Sequence, residues 1–169
     1  MKNMTAEEVM VPLDSYPHIP YWFTIRQAMV EMEKGQIESG GRQSIPRVVL
    51  VFDEQYQLMG IVRRRDIFRG LEPDYLEHTT AGRMSDKKSD FSELSTVEDL
   101  EGLRRRSEKP VSEVMQPIKA TVKASDSLYL VANHMVTYDL SVIPIIKDDR
   151  VIGVVRSVDV FHHIAKAIL

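Results

Sequence analysis

Histidine, arginine, aspartate and serine are the side chains here that could do chemistry, and their spacing decides which kinds are open. His134, Asp139 and Ser141 supply the residue types of a hydrolytic trio, but nothing places the serine at a strained elbow or orients an oxyanion hole. His162 and His163 are neighbours on an expected helix, where adjacent side chains diverge, and no carboxylate stands at the i+4 spacing of a helical metal site, so no metal is expected. Cysteine is absent, which excludes disulfides, thiolate metal sites and cysteine nucleophiles. Gly40-Gly41-Arg42 lacks the full glycine-and-lysine fingerprint of a phosphate loop and reads as part of a flexible surface loop. Tyr16, His18 and Trp22 carry rings that can stack on a planar ligand, although packing at the end of a core is the commoner use of such rings. The clusters Arg63–Arg65 with Arg69 and Arg104–Arg106 are candidate anion contacts; Glu101 and Glu108 weaken the second. A net charge of −3 supplies no overall basic field, so nucleic acid is not the expected partner. No catalytic residue is assigned, and the chain is not read as an enzyme.

Two runs stand apart because they match each other: Gly60-Ile-Val-Arg63-Arg-Arg-Asp66 and Gly153-Val-Val-Arg156-Ser-Val-Asp159. In each, glycine lets backbone come close to a ligand, and the aspartate stands at an expected helix start, where backbone amides favour phosphate.

The elements that must position these runs also come twice, over about 5–70 and 110–169. Each copy opens with Val-Met-x-Pro, at Val9-Met10 and Pro12 and again, 105 positions on, at Val114-Met115 and Pro117. An amphipathic helix follows, with Ile25, Ala28, Met29 and Met32 on one face in the first copy and Leu128, Val131, Ala132 and Met135 in the second. Thr24 and Ser127 stand where a hydroxyl caps a helix start, with Asp126 or Ser125 an equal candidate in the second copy. Next come hairpins, Arg47–Phe52 with Gln57–Val62 and Val142–Ile146 with Val151–Val155, the second turned by a solvated Asp148-Asp149. Each leads into a second helix, whose apolar face in the second copy is Phe161, Ile164, Ala165 and Ile168. From Met32 to Gly60 is 28 positions but from Met135 to Gly153 only 18, so the first copy carries an insertion near Gly35–Pro46. The expected division is 1–70, a polar linker 71–109 with a helix near Thr96–Ser107 bearing Val97, Leu100 and Leu103, and 110–169.

With 43% apolar and 28% charged side chains in 169 residues, there is material for one core or two halves sharing one. No apolar run approaches the roughly 20 residues of a spanning helix and no apolar signal core follows Met1, so a cytoplasmic address away from membranes is expected.

Val-Met-x-Pro, the amphipathic helix, the Pro-containing hairpin and Gly-x-x-x-x-x-Asp, occurring twice in one order, resemble the tandem CBS motifs of a Bateman module over nearly all residues outside 71–109. The resemblance implies an α/β (α+β) fold, two β-α-β-β-α units packed with pseudo-twofold symmetry and commonly paired into a homodimer. It also implies a regulatory module that binds an adenosyl nucleotide such as AMP, ADP, ATP or S-adenosylmethionine between its motifs and signals to a protein partner, with no cofactor required. Asp66 and Asp159 match the family's ribose-binding position, beside Gly60 and Gly153, with Ser157, Ile143, Pro144 and Tyr16 as further expected contacts. Both copies depart from the family in placing arginine, Arg63 and Arg156, where it has serine or threonine. An arginine fork there can hold phosphate, fill the cleft or pair with the neighbouring aspartate. The competing readings are a ligand-free dimerisation or docking module and an anion-binding module.

Overall fold

The computed structural model describes residues 4–73 and 97–169, so 74–96 of the expected linker, with Thr96, lies outside the described residues. In chain order the first copy gives β1 (Val11–Pro12), β2 (His18–Pro20), α1 (Ile25–Lys34), β3 (Ile37–Ser39), β4 (Arg42–Ser44), β5 (Val48–Phe52), β6 (Leu58–Arg63) and α2 (Arg64–Leu71). After α3 (Val97–Arg106), the second copy gives β7 (Gln116–Pro117), β8 (Val122–Lys123), α4 (Leu128–Tyr138), β9 (Val142–Lys147), β10 (Arg150–Arg156) and α5 (Ser157–Ile168).

Branched apolar runs make the two central hairpins, β5–β6 and β9–β10, and these are buried on both faces. Val48, Leu50 and Phe52 face a shared middle core with Val142 and Val154, whereas Val49 and Val51 turn the other way onto α1 and α2. Ile143, Ile145 and Val155 pack likewise toward α4 and α5. Asp148 and Asp149, with φ of 50° and 60°, form the tight turn that the polar pair suggested.

Each four-stranded sheet is completed by a strand from the opposite copy. The orders are β2-β5-β6-β7 and β1-β10-β9-β8, so the second Val-Met-x-Pro lies on the first sheet and the first on the second. The registers match across the pseudo-twofold, with Pro12 opposite Gly153 and Pro117 opposite Gly60. The leading segments also cross over to cap the opposite helices: the Lys109 carbonyl accepts from the Ile25 N–H at 2.9 Å, and that of Met4 from Leu128 at 3.1 Å. Thr24 and Ser127 cap α1 and α4 as expected.

Two expectations need correction. The insertion read as a loop is a hairpin, β3–β4, turned by Gly40 and Gly41 at φ of 59° and 76° and anchored by buried Ile37. The positive φ values are what the glycine pair supplies. On α5 the core is reached by Val160, with Ile164 half-buried, while Phe161 and Ile168 are exposed. The helix expected in the linker is present as α3; its Leu100 and Leu103 are exposed, and it is tied down at its end, where Arg106 Nε donates to the Leu71 carbonyl at 2.6 Å.

Candidate ligand cleft between the copies

Strands β6 and β10 run without a break into α2 and α5, leaving Arg63 and Arg156 extended at the N-cap positions and Asp66 and Asp159 three residues further on. Asp66 Oδ2 accepts from the Arg63 backbone N–H and from Arg63 Nε, both at 2.9 Å. Its Oδ1 accepts from Arg63 Nη2 at 3.0 Å and lies 3.2 Å from Arg69 Nη2. Burial alone would raise the Asp66 carboxyl, but the Arg63 hydrogen bonds and the charges of Arg63 and Arg69 hold it below its ordinary value. Asp159 repeats the fork, accepting from Arg156 Nε at 2.6 Å and Nη2 at 2.9 Å. Arg156 is itself buried, and its Nη1 donates to Ser44 Oγ on the inserted hairpin.

Between the copies these ends frame a cleft of about 710 Å³, bounded by Tyr16, the end of β4 and Arg47 from one copy and by Val142, Arg156, Ser157 and Phe161 from the other. A second lobe of about 360 Å³ reaches Arg63, Arg65 and Asp139, and Arg47, Arg64, Ser141 and Ser157 line both. Among the described residues, the side chains of Arg47, Arg64 and Arg65 are exposed and make no hydrogen bond or ion pair. The arrangement can hold a phosphate-sized anion between unpaired guanidinium groups.

The family model for the CBS domain matches residues 4–73 and 111–166. The chain belongs to the CBS domain family. No curated protein matches its sequence. Solved structures share the fold of this CBS pair at identities that speak to fold alone. One is the CBS domain of a CBS domain containing membrane protein from Sphaerobacter thermophilus, with a TM-score of 0.69 and 20% identity, covering 96% of this chain and 88% of that one. Another is CBSX2, of Arabidopsis thaliana, in complex with AMP, at 0.64 and 15%, covering 98% of both chains. The cytosolic domain of the Mg2+ channel MgtE in complex with ATP gives 0.61 and 18%, covering 96% of this chain and 49% of that one.

Within this CBS pair the expected contacts divide. Arg63, Arg156, Ser157 and Tyr16 line the cleft, whereas Asp66 is fully buried behind Arg63. Tyr16 presents little surface: its hydroxyl donates to the Val48 carbonyl at 2.6 Å and burial pushes its ionisation well above the usual range for tyrosine. Ile143 packs under the helices, and neither it nor buried Pro144 lines the cleft. Gly60 and Gly153 face the exchanged strands; a Cβ on Gly60 would stand 2.5 Å from the Gln116 carbonyl oxygen. Closeness to backbone is what these glycines provide, with protein rather than ligand as the neighbour.

In the aromatic segment Tyr16 is buried in the middle core, and His18 stands edge-on to Phe52 and Tyr56. His18 Nδ1 lies 2.8 Å from the Tyr16 carbonyl and so carries the proton, leaving Nε2 to accept from the Tyr56 hydroxyl at 2.6 Å; Trp22 is exposed, edge-on to Tyr21. No hydrogen bond joins His134, Asp139 and Ser141, and among the described residues no group of three or more His, Asp or Glu could hold a metal. Arg47, Ser44 and Ser141 were not singled out from sequence as site residues. Arg47 could have been found, since it immediately precedes the strand paired with the Gly60–Asp66 run.

Proposed function

We propose that this CBS pair is a regulatory sensor that binds an adenosyl nucleotide in the cleft between its motifs and passes the event to a protein partner, as a cytoplasmic homodimer without catalytic activity. The observation that carries the reading is the cleft itself: an opening between copies, next to both Gly-x-x-Arg-x-x-Asp runs, bordered by Arg47, Arg64 and Arg65, which make no ion pair among the described residues. The AMP and ATP complexes among the proteins of the same fold support the choice of adenine nucleotides. A ligand shared by two halves biases their relative angle, and an effector shifts an equilibrium only by its differential affinity, so a coupling of about 1–3 kcal/mol to the partner is expected. The test is a thermal-shift panel of AMP, ADP, ATP and S-adenosylmethionine, where a ligand at about 100 times its Kd stabilises the fold by roughly 2.7 kcal/mol. At least one should raise the melting temperature.

A second reading, a docking module that works without ligand, is favoured by one observation. The Arg63–Asp66 and Arg156–Asp159 forks occupy the carboxylates that the family would offer to ribose. Silence across the whole panel would establish it over the first.

A further inference from the structure

We propose that the cleft reads the phosphates of its ligand and is indifferent to the sugar diol, so that a nucleoside polyphosphate binds equally well with or without ribose hydroxyls. This rests on the nucleotide-binding reading above and narrows it.

A carboxylate offers about four acceptor positions, and a sugar diol needs two of them free. On Asp66 three are taken by hydrogen bonds, two N–H groups of Arg63 on Oδ2 and Arg63 Nη2 on Oδ1, and the Arg69 guanidinium stands 3.2 Å from Oδ1 as an ion pair, so two free positions are not left. The side chain is also fully buried, so no hydroxyl reaches it without unpacking the start of α2. Asp159 carries only the two hydrogen bonds of the Arg156 fork and keeps some accessible surface, but it lines neither lobe of the cleft, and the Arg156 that stands before it is fixed from behind by Ser44. Exchanging a bidentate charged pair for two neutral hydroxyls at so enclosed a site is uphill, because it strands the guanidinium.

The cations left over are elsewhere. Arg47 and Arg64 line both lobes and Arg65 the smaller one, all exposed and unpaired among the described residues; Asp139, the carboxylate lining that lobe beside them, makes no ion pair. Three guanidinium groups facing one carboxylate suit a ligand with several negative charges, which a di- or triphosphate has and an uncharged nucleoside lacks.

Isothermal titration at low ionic strength with ATP, 2′,3′-dideoxy-ATP, inorganic tripolyphosphate and adenosine tests this. ATP and its dideoxy analogue should bind within about twofold of each other, tripolyphosphate should bind measurably, and adenosine should be at least tenfold weaker than ATP. Arg47→Gln combined with Arg64→Gln should weaken ATP tenfold or more without changing the fold, since both side chains are exposed. If ATP binds but the dideoxy analogue is tenfold weaker, or if adenosine matches ATP, the phosphate assignment is overturned while nucleotide sensing stands. If neither ATP nor any other nucleotide of the thermal-shift panel binds, both readings fall together.

Discussion

Asp66 shows how a residue can be legible in kind and illegible in use. Its place six positions after Gly60 marks it as special in the sequence, yet whether it faces a ligand or its own chain depends on the rotamer of Arg63, which no spacing records. The pairing makes a pH prediction. Because the folded carboxyl titrates below its ordinary value of 3.8, the unfolded chain binds more protons in that window. The stabilisation is therefore complete above the ordinary value and is lost as pH falls through the folded one. The advantage of wild type over Asp66→Asn in urea midpoints should hold down to about pH 4 and narrow as pH falls below that. A gap independent of pH would show that Asp66 is not held as an ion. At neutral pH, Asp66→Ala should cost about 2–3 kcal/mol, because it leaves Arg63 without its partner, and urea unfolding measures it.

At the scale of elements, the repeat was readable because each segment carries its own period and its own cap, Thr24 and Ser127 above all. The exchange of β1 and β7 was not, because a two-residue strand has no period and pairs equally well with either sheet by local rules. Nor was the β3–β4 hairpin: apart from Ile37 its residues are polar, so the twofold alternation that marks a half-buried strand is missing, and only Gly40-Gly41 hinted at a turn. The glycines opposite the exchanged strands give a sharp test of the topology. A methyl on Gly60 would press on the Gln116 backbone and one on Gly153 on the Val11 carbonyl and on Met10 Sδ at 2.6 Å. Gly60→Ala and Gly153→Ala should each cost about 1–3 kcal/mol in denaturant unfolding, by overpacking a seam where backbone cannot retreat. Neutral substitutions at both would mean that the Val-Met-x-Pro strands do not cross.

For the whole molecule, the proposed homodimer can be argued from an apolar stripe that the chain itself leaves bare. Val158, Phe161, Ala165 and Ile168 share one face of α5, and Val158, Phe161 and Ile168 are 51%, 74% and 77% exposed. Phe68, the position on α2 that matches Phe161, is likewise 66% exposed, although Arg65 stands where α5 has Val158. Side chains of this size contribute about 1.5–3 kcal/mol each when fully buried, so Val158, Phe161 and Ile168 from both copies offer on the order of 10 kcal/mol against an association cost of about 4–15 kcal/mol. That balance is narrow, which makes the dimer sensitive to one charge. In a symmetric pair the change is felt twice, so Phe161→Glu at about 2 kcal/mol per copy should weaken association roughly a thousandfold. Light scattering at tens of micromolar should give a dimer for the unaltered chain and a monomer for Phe161→Glu, with little change in thermal stability because Phe161 supports no core within its own chain. A strictly monomeric unaltered protein, or a dimer that survives both Phe161→Glu and Val158→Glu, would remove this stripe as the interface.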